Sequence, residues 1–175
     1  KMWKGTKGAA PIISITNGVH VPTWQDARIR AALVPDKPRK QQDAELWAAH
    51  QTMKKELLAE IERRNGIKLN ADKLLIGFAR RAATYKRADL IISDDKALKK
   101  LIERGVQIVY SGKAHPRDTG GKELIGKIVA ASKKYKKHVV FLENYDMHLG
   151  ALLTRGTDIW LNNPRRPLEA SGTSG

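Results

Sequence analysis

The sequence contains no cysteine, which excludes disulfides and thiolate metal ligands and leaves the redox compartment open. It also lacks any run approaching the ~20 apolar residues that a membrane span needs. The opening Lys1-Met2-Trp3-Lys4 is not followed by the apolar core of an export signal, so a cytoplasmic protein is the expectation. Aromatic residues are scarce, at 6%, which leaves few rings on which bases could stack. No HExxH, Walker loop, GxSxG elbow or GxGxxG turn occurs, so zinc proteolysis, P-loop chemistry, serine hydrolysis and dinucleotide binding have no motif behind them. No metal site is expected.

Acids are the minority, 18 against 33 Lys and Arg, giving a formal charge of +15. Such a balance attracts anions of many kinds, from nucleic acid to phosphorylated metabolites to an acidic partner domain. Much of the charge lies in lysine-rich stretches such as Lys133-Lys134-Tyr135-Lys136-Lys137, which read as a solvated helix face. A basic nucleic-acid-binding α/β module is an alternative, but it needs one continuous basic face, and the basic clusters here are scattered. Hydrophobic residues make up 41% of the 175, enough for one domain with a core.

Residues 1–43 show no helical period and are punctuated by Pro11, Pro22, Pro35 and Pro38. Ile12–Ile15 is read as one short strand, and the rest as a connection that packs on something else. Residues 44–64 read as a helix with Asp43 as N-cap. Its apolar stripe is Leu46, His50, Met53, Leu57 and Ile61, with Lys54, Lys55, Glu56, Glu60 and Arg63 on the other side. Asn65-Gly66 stops it. Beyond it strands and helices alternate: Lys73–Ala79, Val106–Tyr110, His138–Leu142 and Asp158–Leu161 as strands, with 88–104, 122–136 and 148–154 helical. This predicts an α/β fold, a Rossmann-like parallel sheet with flanking helices. The domain reading is 1–43 as connection, 44–70 as connecting helix and 71–175 as the Rossmann-like part.

Ligands in such sheets bind beyond the carboxyl ends of the strands, and the chemistry-bearing residues sit there. Arg80, Arg81, Tyr85, Lys86 and Arg87 follow the first strand. Arg80, Arg81 and Lys86 surround an expected strand–helix junction that suits a phosphate dianion; a basic turn paired with acids of a neighbouring domain is the equal alternative. Ser111-Gly112-Lys113 and His115 follow the second strand, and His115 receives no catalytic role. Glu143-Asn144-Tyr145 follow the third. Asn144 is read as a possible helix cap, and Tyr145 as a ring that can stack on a flat ligand. Glu169 through Gly175 is small, polar and glycine-rich, suited to hydroxyls or phosphate at close backbone approach.

In order and spacing, ITNGVHVPTW at 15–24, ELWAAHQ at 45–51, GFARRAATYKR at 77–87, SGKAHP at 111–116, VVFLENYDMHLG at 139–150 and PRRPLEASGTSG at 164–175 resemble the α-glucan phosphorylases, most of all the shorter bacterial and archaeal ones. The resemblance implies two facing Rossmann-like domains, the GT-B glycosyltransferase arrangement, with this chain covering the end of the first and the first part of the second. It implies that inorganic phosphate cleaves the terminal α-1,4 bond of a glucan to give glucose 1-phosphate, with pyridoxal phosphate as cofactor. By position, Arg81 and Lys86 match the pair gripping substrate phosphate. Arg80 stands where the family has a lysine near the cofactor phosphate. Trp24 and Tyr145 match aromatic neighbours of the cofactor, and Thr173 a contact to its phosphate. Asn17, Glu169, Ser171 and Gly172 match contacts to glucose hydroxyls. Ala83 replaces a histidine common in the long enzymes, and the lysine that holds the cofactor lies two residues past Gly175. The chain alone is therefore expected to be inactive. Expected partners are glucan, phosphate, glucose 1-phosphate, the rest of the enzyme and further copies of it, with neither nucleic acid nor membrane. A nucleotide-sugar glycosyltransferase of the same architecture is the alternative enzyme.

Overall fold

A computed structural model describes residues 5, 7, 8, 10, 11, 13, 15 and 18–168. The strand expected at Ile12–Ile15 and the candidates Asn17, Glu169, Ser171, Gly172 and Thr173 fall on or among positions outside the described residues. Four parallel strands, β1 (Leu75–Ala79), β2 (Gln107–Ser111), β3 (Val139–Leu142) and β4 (Ile159–Trp160), form one sheet in the order β3-β2-β1-β4. The chain moves outward from β1 to β3 and then returns to pair β4 with β1. That reversal makes the β1/β4 junction a topological switch point, the place where open α/β sheets bind ligands.

Helices cover both faces, as near-continuous apolar strands require. Leu75, Ala79, Val109, Val140 and Leu142 point to one side, against Leu57, Leu58 and Ile61 of α3 (Arg39–Asn65) and Leu149 and Leu153 of α6 (Met147–Gly156). Ile76, Phe78, Ile108, Tyr110 and Val139 point to the other, against Leu98 of α4 (Asp95–Glu103) and Leu124 and Ile128 of α5 (Thr119–Lys134). The strict alternation of the two sets is the period of two of an extended chain. At Gly156 an added Cβ would stand 2.7 Å from Leu57 Cβ and 2.9 Å from Met53 O, so α6 lies against α3 at a distance only glycine permits.

Several expectations need correction. Residues 1–43 contain two short helices, α1 (Val21–Trp24) and α2 (Ala27–Ala32), the second capped by Asp26, which accepts from Arg28 N–H at 2.9 Å. Helix α3 starts at Arg39 after Pro38, not at Ala44 after Asp43. Lys54 is not on its solvent side. It is 3% exposed, donating to Lys73 O at 2.7 Å and Asp158 Oδ2 at 2.6 Å. The stretch 88–104 is not one helix: a 3-10 turn over Leu90–Ile92 is followed by α4, which begins only where Asp94 accepts from Lys96 and Ala97 N–H. Gly66 (φ 64°) and Gly105 (φ 84°) do end the helices before them in left-handed conformations, as glycine allows.

Candidate functional site

The loop after β1 is built by continuing the strand. Arg80 N–H donates to Ser111 O at 3.3 Å and Ala82 N–H to Lys113 O at 2.9 Å, so the β1–β2 ladder runs past both strand ends. The extended chain then buries Arg80, 8% exposed, and leaves Arg81 in solvent. Gly112 makes this passage possible. Its φ is 148°, and a Cβ there would lie 2.1 Å from Arg80 O, so any side chain would push Arg80 away. Thr84–Lys86 is a 3-10 turn with Lys86 half-buried at its end, Nζ 5.1 Å from the Tyr85 ring centroid.

The helix N-terminus expected at this junction is not that of the following helix, because α4 begins eight residues beyond Arg87, at Asp95. The first turn of α5 packs there instead. A Cβ on Gly121 would stand 2.3 Å from Ala82 O, and one on Gly120 3.3 Å from Thr84 Cγ2. Part of that turn's donor capacity is taken, since Gly121 N–H donates to the capping Asp118 at 2.9 Å.

The loops after β1 and β4 are stitched together. Arg87, itself left-handed at φ 51°, donates from Nε to Asn163 O at 2.7 Å and from Nη2 to Pro164 O at 3.3 Å. Asn163 Nδ2 donates back to Arg87 O at 3.1 Å, and Arg165 N–H donates to Tyr85 O at 2.8 Å. The candidate phosphate loop is thus fastened to the segment leading into residues 169–173.

Trp24 and Tyr145, far apart in sequence, both approach Gly150 of α6. A Cβ on Gly150 would lie 2.9 Å from the Tyr145 hydroxyl and 3.7 Å from the Trp24 ring. Arg155 holds the Trp24 segment, donating from Nε to Trp24 O at 2.7 Å and from Nη2 to Thr23 O at 2.9 Å. Burial raises the Tyr145 phenol above its usual range, with the Asp146 charge adding to the effect. The helix cap here is Asp146, which accepts from Leu149 N–H at 2.8 Å, rather than Asn144. Asn144 instead takes a left-handed φ of 57°, a conformation that asparagine tolerates better than most residues. His115 is exposed and accepts from Arg117 N–H at 3.1 Å.

A cleft of about 970 Å³ lies elsewhere. Lys73, Leu74, Asp158 and Trp47 line it, at the amino ends of β1 and β4, opposite the candidate residues. Asp158 there accepts from Lys54, from His50 at 2.8 Å and from Leu75 N–H at 2.7 Å. Burial works to raise its carboxyl, but the hydrogen bonds from His50 and Lys54 outweigh burial and hold it below the usual range. Roles for Lys54, Arg87, Arg155, Asp158 and Asn163 were not legible from residue types. Only Arg87 carried a signal, its place beside Lys86. No helix of the described residues is long and apolar enough to cross a membrane.

No family model matches the chain. It is 41% identical, over 99% of its length, to a maltodextrin phosphorylase of Thermococcus litoralis and 38% identical, over 94%, to a glycogen phosphorylase of Aquifex aeolicus. The chain matches one segment of the glycogen and maltodextrin phosphorylases over nearly its whole length. A glycogen phosphorylase of Mycobacterium bovis is 35% identical over the whole chain. The chain spans only 25%, 29% and 24% of the lengths of these three relatives. A glycogen synthase of Lactococcus lactis is 30% identical over 62% of the chain. The sheet with helices on both faces fits the GT-B fold of such phosphorylase and synthase relatives.

Proposed function

We propose that the full-length protein is an α-glucan phosphorylase, transferring the terminal glucosyl unit of an α-1,4-glucan to inorganic phosphate. The observation that carries this is the fastening of the Arg81/Lys86 loop to the β4 loop across the switch point. It brings a cationic loop beside the segment leading into 169–173, which resembles a sugar-binding loop. Residues 1–43 form the end of an N-terminal domain, 44–70 a connecting helix and 71–175 the first part of the C-terminal domain.

In this reading Arg81 and Lys86 bind substrate phosphate. Their charges oppose its negative charge while the glucosidic C1–O bond breaks and a new C1–O bond forms to phosphate, with retention. Asn17, Glu169, Ser171 and Gly172 orient the glucosyl unit through its hydroxyls. Two rings beside Gly150 and a buried arginine at the end of β1 fit a flat cofactor bearing an anionic group. Trp24, Tyr145, Arg80 and Thr173 would hold pyridoxal phosphate. When bound, that cofactor supplies a phosphate group that exchanges a proton with the substrate phosphate. A facing N-terminal domain would enclose the site and exclude water. The protein works in the cytoplasm, as an oligomer. The pairing of Lys134 and Lys99 with Asp95, and of Lys127 with Asp89, supports a solvated basic surface over a nucleic-acid face.

The test is glucose 1-phosphate release from maltodextrin by the full-length protein as phosphate is varied. Glucosyl transfer from a nucleotide sugar, with no phosphorolysis, would favour the synthase-like reading.

A further inference from the structure

We infer that Arg87 is a positioning residue that sets the spacing between the substrate-phosphate loop and the loop after β4, which leads into the proposed sugar-binding residues. The inference rests on the phosphorylase reading. Arg87 directly follows Lys86, and its N–H closes the 3-10 turn on Thr84 O at 3.1 Å, so its backbone fixes where Lys86 leaves the chain. Its guanidinium reaches two successive carbonyls of the other loop, Asn163 O and Pro164 O, and its own carbonyl accepts from the Asn163 amide. A flat fork with several N–H donors can serve two carbonyls at once, whereas an ammonium offers only a point of charge. The left-handed φ of 51° at a residue other than glycine persists only where surrounding bonds over-determine it, and these bonds do so. Arg87 is engaged with carbonyls, and so it acts on phosphate through the placement of Lys86.

The experiment uses the full-length holoenzyme with Arg87→Ala, Arg87→Lys and Asn163→Ala. Misplacing a binding group by about an ångström costs roughly 100-fold in rate. Arg87→Ala is therefore expected to lower kcat by about that factor, with the KM for maltodextrin within about twofold of wild type. Arg87→Lys keeps the charge but loses the fork, and it is expected to fall nearly as far; full activity in Arg87→Lys would show that charge alone matters and overturn the clasp. Hydrogen exchange gives a readout independent of turnover. Arg87→Ala and Arg87→Lys should each speed exchange at the amides of Arg87 and Arg165 by about tenfold or more, with β1–β3 still protected. Unchanged exchange in both loops would overturn the inference. If Arg87→Ala does not fold, Arg87→Lys decides. Asn163→Ala, which removes one of the bonds, should show a smaller effect in the same direction, and a larger one would refute the primacy of Arg87. Failure of the phosphorylase reading would show separately, as a wild-type enzyme releasing no glucose 1-phosphate.

Discussion

Removing the carboxylate of Asp158 should destabilise the chain severely. Its two oxygens accept from Lys54 on α3, His50 one turn earlier, and the Leu75 N–H that opens β1. The Lys54 side chain is only 4% exposed. In Asp158→Leu its ammonium keeps the Lys73 carbonyl but loses its only anionic partner among the described residues. Leaving a buried charge without its counter-ion costs about 3–5 kcal/mol, a large share of the ~5–15 kcal/mol that holds a domain folded. Lys54→Met should cost less, because Asp158 keeps His50 and Leu75. The double variant Lys54→Met/Asp158→Leu should recover part of the loss, since no charge is then stranded. Urea denaturation followed by far-UV circular dichroism measures all three. Additive losses in the double variant would refute the account. The pH dependence follows from the lowered carboxyl. A group whose folded pKa is depressed contributes stability above its unfolded value, about 3.9, and loses it as pH falls through the lower folded value. The gap in stability between wild type and Asp158→Leu should therefore hold near neutrality and narrow only below about pH 4.

Gly112→Ala should destabilise the chain by about 1–3 kcal/mol and displace Arg80, because the new methyl would meet the Arg80 carbonyl; an unchanged denaturation midpoint would contradict the geometry. Lys86→Ala in the full-length enzyme should cut phosphorolysis by at least about 100-fold, by loss of a charge-assisted contact to phosphate, and undiminished glucose 1-phosphate release would show the phosphate site to be misplaced. Arg155→Ala in the full-length protein should free the Thr23–Trp24 backbone, weakening pyridoxal phosphate binding in a fluorescence titration while leaving the α3–α6 packing intact. Asp26, drawn down to about 2 by its hydrogen bonds with Arg28, should contribute stability above the unfolded aspartate value of about 3.9 and lose it only as pH falls toward its own lower value.

The sheet was legible because fully buried strands are apolar runs bounded by glycine and charge. Strands Leu75–Ala79 and Gln107–Ser111 are buried at every position. What was not legible is mostly long-range or polar. Lys54 and Asp158 are 104 residues apart, and nothing local marks either as buried. The first turns of α3 are Arg39-Lys40-Gln41-Gln42, with no apolar stripe to register a period, although Pro38 ahead of them was the available signal. The break before α4 comes from Asp94, whose carboxylate competes with helix continuation by capping Lys96 and Ala97. At the candidate site, residue type pointed to Arg81, Lys86 and Tyr145. It could not show that Trp24 and Tyr145 both approach Gly150, or that Arg87 spans two loops, because both depend on the tertiary fold.

The position of β1 has a kinetic consequence. Its pairing with β2 needs a register separation of about 32 residues, but its pairing with β4 must wait for the chain to return from Asp158, 83 residues after Leu75. Closing the longer loop costs more entropy before any contact repays it. The β3-β2-β1 half can therefore assemble as the chain emerges during synthesis, while β4, only two residues long, docks last. The seam between the Arg81/Lys86 loop and the Asn163 loop then comes into being in that final step. A ligand bridging the two loops would act on the least committed part of the fold, holding closed a seam that the rest of the sheet can form without.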